Sequence, residues 1–265
     1  MWMSLQGAAP AVPDGPERSD AVRRAVQLRW ADVDALGHVN NVAYAAYFED
    51  AHRAFLEDGL AVTRQAVTYL RPLMFGTGAT IATRAWVDPS PQEPVVLAEL
   101  CEEGTGSPRV HARSRAVLGS PPSRSQGERP SVAPIVVERG HHLRVAVRVA
   151  DLSPRGDVAD TAVFEFLQEA RIALMAEMDL EPTSTVVAQK DVHFHRPAPE
   201  HWESVEMWSW VSRIGNRSMA IDSVVASGAT IVARGSSTLV FFDARAQRSV
   251  TPPESVTRAL RSWQL

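Results

Sequence analysis

From Val42 to Leu56 the chain is apolar or small at most positions. Val42, Ala43, Tyr44, Ala45, Ala46, Tyr47, Phe48, Ala51, Ala54, Phe55 and Leu56 cover more than one face of a helix. The pattern predicts a helix buried on most sides. Just before it, Asp32, Asp34, His38, Asn40 and Asn41 crowd into a polar turn that follows a short strand ending at Arg29-Trp30. After the helix, β-rich runs predict strands near 63–70, 78–88, 93–103 and 109–118. A Pro, Ser, Gly and Arg cluster from Gly119 to Pro134 then reads as an exposed linker.

The same order returns beyond the linker: a strand ending at Arg148-Val149, a turn, a long apolar helix, and strands near 186–195, 204–213, 217–227 and 230–242. At one constant spacing Arg29 pairs with Arg148, Asp32 with Asp151, Gly37 with Gly156, Val39 with Val158 and Ala51 with Ala170. Further on, Gln65 to Pro72 (QAVTYLRP) matches Lys190 to Pro197 (KDVHFHRP) after a slightly longer loop. This is the signature of a tandem duplication. The expected organisation is a disordered lead over 1–22, a first domain over 23–118, a linker over 119–140 and a second domain over 141–265.

Composition narrows the function. With 45% apolar and 22% charged residues, 265 residues suffice for a sizeable core. The net charge of -4 gives no basic field for nucleic acid. A single cysteine, Cys101, excludes an internal disulfide and a cysteine-rich metal site, and in an apolar strand it is expected in the core. No stretch has the continuous apolar core of a signal peptide or a membrane span, so cytoplasmic residence is expected. His193 and His195 point the same way on a strand, but no third ligand has suitable spacing, and no metal is expected. The glycine patterns of serine-hydrolase elbows, phosphate loops and dinucleotide folds are missing.

The run Asp32-Val-Asp34-Ala-Leu-Gly-His38-Val-Asn40-Asn41, with Tyr44, Tyr47-Phe-Glu49 and Tyr69-Leu-Arg71-Pro72, resembles the hot-dog-fold thioesterases of the 4-hydroxybenzoyl-CoA thioesterase type. In the second half, Val211 to Ser218 and Ala233 to Phe242 resemble that family's later strands. The resemblance implies an α+β fold of two tandem hot-dog domains. Each is a long helix wrapped by a curved antiparallel sheet, and the two form an intramolecular pseudo-dimer. It also implies an acyl-CoA substrate and no cofactor. Further pairing of the pseudo-dimer into a homo-oligomer is compatible with the sequence.

Thioester hydrolysis needs a carboxylate that attacks the carbonyl or activates water, and a donor for the developing oxyanion. By resemblance Asp34 matches the catalytic aspartate. Asn41 would offer a free backbone N–H in the first helical turn, where the dipole helps. His38 would orient the carbonyl or the water. Asn40 is expected to cap the helix beside the substrate, and Asp32 to hold the turn. Tyr44 and Tyr47 are expected in the core, with Tyr44 against the substrate. Glu49 is either a second carboxylate or a partner for Arg53, and Arg71 would face a coenzyme A phosphate. From the second half, Phe164 and Gln168 are expected across the cleft.

The second turn has Ser153, Asp157, Ala159 and Asp160 at the positions of Asp34, His38, Asn40 and Asn41. It lacks the carboxylate where the reaction needs it, and displaced aspartates are poor substitutes. One working site is therefore expected, between the Asp34 turn and the second-half helix. Two other functions fit the same fold: a non-catalytic acyl-binding module and an acyl-carrier-protein thioesterase. The latter enzymes carry asparagine where this chain has Leu36, which favours coenzyme A. A hydratase would need an Asp-Xaa-Asn-Pro-Xaa-Xaa-His arrangement, which does not occur.

Overall fold

The structure is a computed structural model that describes residues 20–57, 59–89, 93–120, 134–195, 202–228 and 230–265. Residues 1–19 of the expected lead and 121–133 of the expected linker lie outside these.

In chain order come β1 (Val22–Val26), α1 (Ala43–His52), β2 (Ala61–Tyr69), β3 (Thr80–Asp88), β4 (Val95–Glu103), β5 (Arg109–Gly119) and the short helix α2 (Pro134–Arg139). Then follow β6 (His141–Ala146), α3 (Asp160–Glu177), β7 (Thr185–Phe194), β8 (Ser204–Ile214), β9 (Ser218–Ser227), β10 (Thr230–Asp243), β11 (Arg248–Ser249) and α4 (Glu254–Ser262). All eight strands expected after the two helices form within a few residues of their expected ends. The alternation of β-branched and polar residues that marked them also fixes which face is buried.

One antiparallel sheet runs in the order β1-β3-β4-β5-β2-β7-β10-β9-β8-β6, with β11 paired to β10. Read outward from the β2–β7 seam, the two arms repeat the same sequence of strands. At the seam Arg64 stands opposite His193 and Ala66 opposite Asp191. Each strand thus covers an edge that the other would otherwise expose. The Arg64 guanidinium binds both Asp191 carboxylate oxygens, at 3.0 and 2.5 Å, across this junction.

Helix α1 packs on β3 and β4, α3 on β8 and β9, and the two helices touch each other. A continuous core joins Phe48 and Val67 of the first half with Phe164, Leu167 and Val192 of the second. Gly235 on β10 is required here, since a Cβ would meet the Leu167 side chain at 2.5 Å. Cys101 is buried as expected, and burial pushes its thiol up to about 12.

Two expectations need correction. Helix α1 is not among them, since it is buried on most sides: Tyr44, Ala45, Phe48, Ala51 and His52 face inward and Ala43, Tyr47 and Glu49 are half-buried, while the stripe of Ala46 and Asp50 is exposed. Alanine counted as apolar in the sequence pattern but is small enough to face water at little cost. The strands before the two turns stop at Val26 and Ala146, and Trp30–Asp32 and Val149–Asp151 form 3-10 turns instead. Asp32 and Asp151 end those turns by accepting the Arg29 and Arg148 N–H groups, at 2.9 and 2.7 Å. Finally, the expected linker is not unstructured to its end: 134–139 is helical, and Val136 is buried beside Trp208 and Trp210.

Candidate active site

The polar turn is built by its own backbone. The Asp34 N–H donates to the His38 carbonyl at 2.8 Å, and the Gly37 N–H returns to the Asp34 carbonyl at 3.0 Å. Gly37 sits at φ +75°, which explains the glycine. The Asp34 Oδ1 accepts the N–H groups of Leu36 (2.9 Å) and His38 (3.1 Å). Its other oxygen has no donor among the described residues. One carboxylate oxygen therefore locks the turn and the second remains available.

Next along the chain, the Asn40 side-chain oxygen accepts the Val42 N–H at 3.3 Å, but Val42 is itself the N-cap of α1, so Asn40 braces the turn before the helix rather than capping it as expected. The Asn41 N–H has no acceptor among the described residues; Asn41 stands just before the N-cap Val42, not in the first turn of α1 as expected. Asn41 is anchored on both sides. Its carbonyl accepts the Tyr69 hydroxyl at 2.9 Å, and its Nδ2 donates to Gln168 Oε1 at 3.3 Å across the two halves. Its own side-chain oxygen is buried with no partner.

These groups surround a cavity of about 440 Å³. Asp34, His38, Asn40, Asn41, Tyr44 and Arg71 line it from the first half, and Gln168 and Arg171 from α3 of the second. Tyr44 is buried in the core and also faces the cavity, edge-on to Tyr69 at 5.2 Å. Burial raises both phenols well above their ordinary pKa, so they are neutral donors. Arg71 is exposed at the rim, whereas Arg171 is only 6% exposed.

Glu49 and Phe164 are not at this cavity. They line a second one of about 390 Å³, with His52 of α1 facing Ser153, Arg155 and Asp160 of the second turn. Glu49 accepts from Arg53 at 3.2 Å, the pairing considered from the sequence. The physical reason is rotational. Positions one helical turn apart share a wall, and the constant spacing between the halves maps Glu49 onto Gln168 and His52 onto Arg171. Each cavity thus takes its turn from one half and its helix wall from the other. In the second turn Ser153 repeats the locking role, accepting the Arg155 N–H at 3.1 Å and hydrogen-bonding Asp157, but brings no free carboxylate. A third cavity of about 470 Å³ beneath β1 includes Asp32 and Tyr47, whose polar groups already satisfy each other at 2.7 Å.

The model of the thioesterase-like superfamily matches residues 28–120 and 147–260. The chain belongs to the thioesterase-like superfamily. Among solved structures, this thioesterase-like chain resembles the 12:0-ACP thioesterase from Umbellularia californica (13% identity, TM-score 0.62, covering 83% of this chain and 93% of that one). It also resembles a protein designated an oleoyl thioesterase from Lactobacillus plantarum (10%, 0.64, 83% and 95%) and an acyl-ACP thioesterase from Bacteroides thetaiotaomicron (11%, 0.55, 83% and 97%). At such identities the likeness establishes the hot-dog fold and no more. No curated protein matches the sequence significantly.

Sequence reasoning missed Arg171 and Tyr69 as site residues. Tyr69 carried a signal in the Tyr-Leu-Arg-Pro motif. Arg171 carried one in the duplication, as the counterpart of His52 and one turn beyond Gln168. His193 and His195 lie on β7 and just past its end, where burial lowers both pKa values, that of His195 to about 4. Among the described residues no group of three His, Cys, Asp or Glu side chains is placed to hold a metal. No helix among them is long and apolar enough to cross a membrane.

Proposed function

We propose that this superfamily member is an acyl-CoA thioesterase with one working site, in the cavity between the Asp34 turn and α3. One observation carries the reading: a carboxylate with one uncommitted oxygen and a backbone N–H with no acceptor, seven residues apart, line the same cavity.

With the thioester carbonyl oxygen on the Asn41 N–H, Asp34 takes a proton from water as the water oxygen bonds to the acyl carbon. The tetrahedral oxyanion is held by that N–H and by the positive end of α1. On collapse the C–S bond breaks, the thiolate leaves and is reprotonated, and the acid is released. Direct attack by Asp34 would give a mixed anhydride that water then cleaves, using the same groups. His38, fixed by its backbone to Asp34, lines the cavity where the carbonyl or water must be oriented. Arg71 at the rim is suited to a coenzyme A phosphate. No step needs a metal or cofactor.

The two arms of the sheet support a tandem hot-dog pseudo-dimer with domains at 23–118 and 141–265, and its chemistry suits a cytoplasmic enzyme. Acyl-carrier-protein thioester hydrolysis is the second reading, favoured by the fold of the Umbellularia californica enzyme and opposed by Leu36 in the turn. The test is free-thiol release from a panel of acyl-CoA and acyl-carrier-protein thioesters, by wild type beside Asp34→Asn and Ser153→Ala. Turnover that is lost only in Asp34→Asn supports the reading. Binding of acyl-CoA without turnover by wild type would replace it with an acyl-binding module.

A further inference from the structure

The Asp34 cavity holds a buried charge with no ion-pair partner among the described residues. Arg171 is 6% exposed and lines the cavity, and its Nε is buried without a hydrogen-bond partner. No carboxylate among the described residues lies within ion-pair distance. The groups that act on its charge are the Tyr69 phenol and then Glu169, two residues earlier on α3. Burial lowers the guanidinium pKa to about 10, so it still carries its charge at neutral pH. Behind it, Lys190 is fully buried and donates to the Phe164 carbonyl at 2.8 Å, so it brings no anion either. A desolvated cation without a counterion is costly and is not kept for stability, because an apolar side chain would pack there at less cost.

We infer that Arg171 forms an anion subsite for the acyl group, and that the preferred substrates are thioesters whose short acyl chain ends in a carboxylate. This rests on the thioesterase reading and adds the substrate class to it. A planar guanidinium offers paired N–H donors that match a carboxylate. The spacing sets the chain length. Asn41, which would hold the thioester carbonyl, is hydrogen-bonded to Gln168, and Gln168 and Arg171 lie one turn apart on the same face of α3. Only a few methylenes fit between the carbonyl and the guanidinium. A coenzyme A phosphate is the other source of an anion, but it belongs to the part of the substrate that stays in solvent, where Arg71 stands.

The experiment compares glutaryl- and adipoyl-CoA with pentanoyl- and hexanoyl-CoA, and repeats the set as N-acetylcysteamine thioesters, which carry no phosphate. Wild type should prefer the carboxylated member of each pair by about tenfold or more in kcat/KM with both carriers. Arg171→Gln should lose that preference, the ratio of carboxylated to neutral kcat/KM falling to about one. Free glutarate should raise the wild-type Tm while pentanoate does not, a readout that survives if Arg171→Gln folds poorly. Equal turnover of neutral and carboxylated thioesters by wild type overturns the inference and leaves the thioesterase reading standing. A fall in both classes places Arg171 at the reacting carbonyl and also overturns it. A fall confined to coenzyme A thioesters assigns Arg171 to a phosphate and overturns it as well. If wild type hydrolyses none of these thioesters, the thioesterase reading itself fails.

Discussion

Replacing Asp34 with asparagine separates the two tasks of this side chain. The amide keeps an oxygen in the place of Oδ1, so the Leu36 and His38 N–H groups at 2.9 and 3.1 Å retain their acceptor. Two charge-assisted bonds become neutral ones of roughly half the strength, a loss of about 1 kcal/mol for the turn. In a chain of this size that lowers Tm by about 2–4 °C. What disappears is the uncommitted basic oxygen. General-base catalysis is worth about 10²–10⁴-fold, or roughly 3–5 kcal/mol of barrier. The expected result is therefore a folded protein with kcat down by at least about a hundredfold and KM little changed, read by thiol release beside thermal melts. Asp34→Ser, which copies Ser153 of the second turn, should melt similarly and be as inactive. Either variant working within a few-fold of wild type would refute the role of Asp34. Activity falling only in step with a large loss of Tm would reduce Asp34 to a turn-locking residue.

Three further outcomes follow from the packing. Burial drops the His52 pKa to about 4, with Ser114 at 3.4 Å as a polar neighbour and Nδ1 unpartnered. The unfolded chain takes up this proton near pH 6.5 and the folded one only near pH 4. Stability is thus fully present above about pH 6.5 and is lost as pH falls towards 4, by about 2 kcal/mol at pH 5. Urea midpoints at pH 7.5 and 5 should show this and His52→Gln should remove its share of the slope, leaving that of the likewise lowered His193 and His195; an unchanged slope would contradict the neutral burial. Gly235→Ala pushes a Cβ against the fully buried Leu167 and should cost about 1–3 kcal/mol in thermal melts; an unchanged Tm would mean that α3 can retreat from β10. Asp191→Asn removes the charge held by both Arg64 nitrogens at the β2–β7 seam and should cost about 1.5–3 kcal/mol. Its unfolding should remain one cooperative transition, and a split into two would show that the seam does not couple the halves.

Much of this was legible in the sequence because duplication doubles every signal. The strand runs appear twice, and the paired Asp32/Asp151 and Gly37/Gly156 do the same jobs in both turns, with φ of +75° and +80° at the glycines. The Asp34 turn was legible because its chemistry is local: five polar residues within ten positions build their own hydrogen-bond frame. Which helix residues face that turn was not, because that wall comes from the other half of the chain. Gln168 was placed in the Asp34 cavity and found there, while Glu49 and Phe164 face the second turn instead. Which narrow stripe of α1 would be exposed was not legible, because alanine carries no information about which way a helix face points. α4 gave no recognised pattern, yet its Leu260 is buried in the cluster with Leu174 and Met175.

The crossed arrangement of turns and helices gives the proposed duplication a functional consequence. If each half had supplied both turn and wall to its own cavity, loss of the second carboxylate would have left the second half catalytically idle. Here α3 follows the turn that has Ser153 at the position of Asp34, yet it furnishes Gln168 and Arg171 to the Asp34 cavity. The second half is thereby held to its shape by the first half's chemistry: Gln168 positions Asn41, and Arg171 supplies the buried charge. Under the proposed single-site reading its own turn is free to change, since Ser153 still locks it and the reaction runs at the other turn. The wall of the second cavity differs in the complementary way, with Glu49 drawn to Arg53 and His52 buried and neutral where the Asp34 cavity has Arg171. Selection on one cavity would maintain one turn and the opposite helix, the pair of elements that brings Asp34, Asn41, Gln168 and Arg171 together.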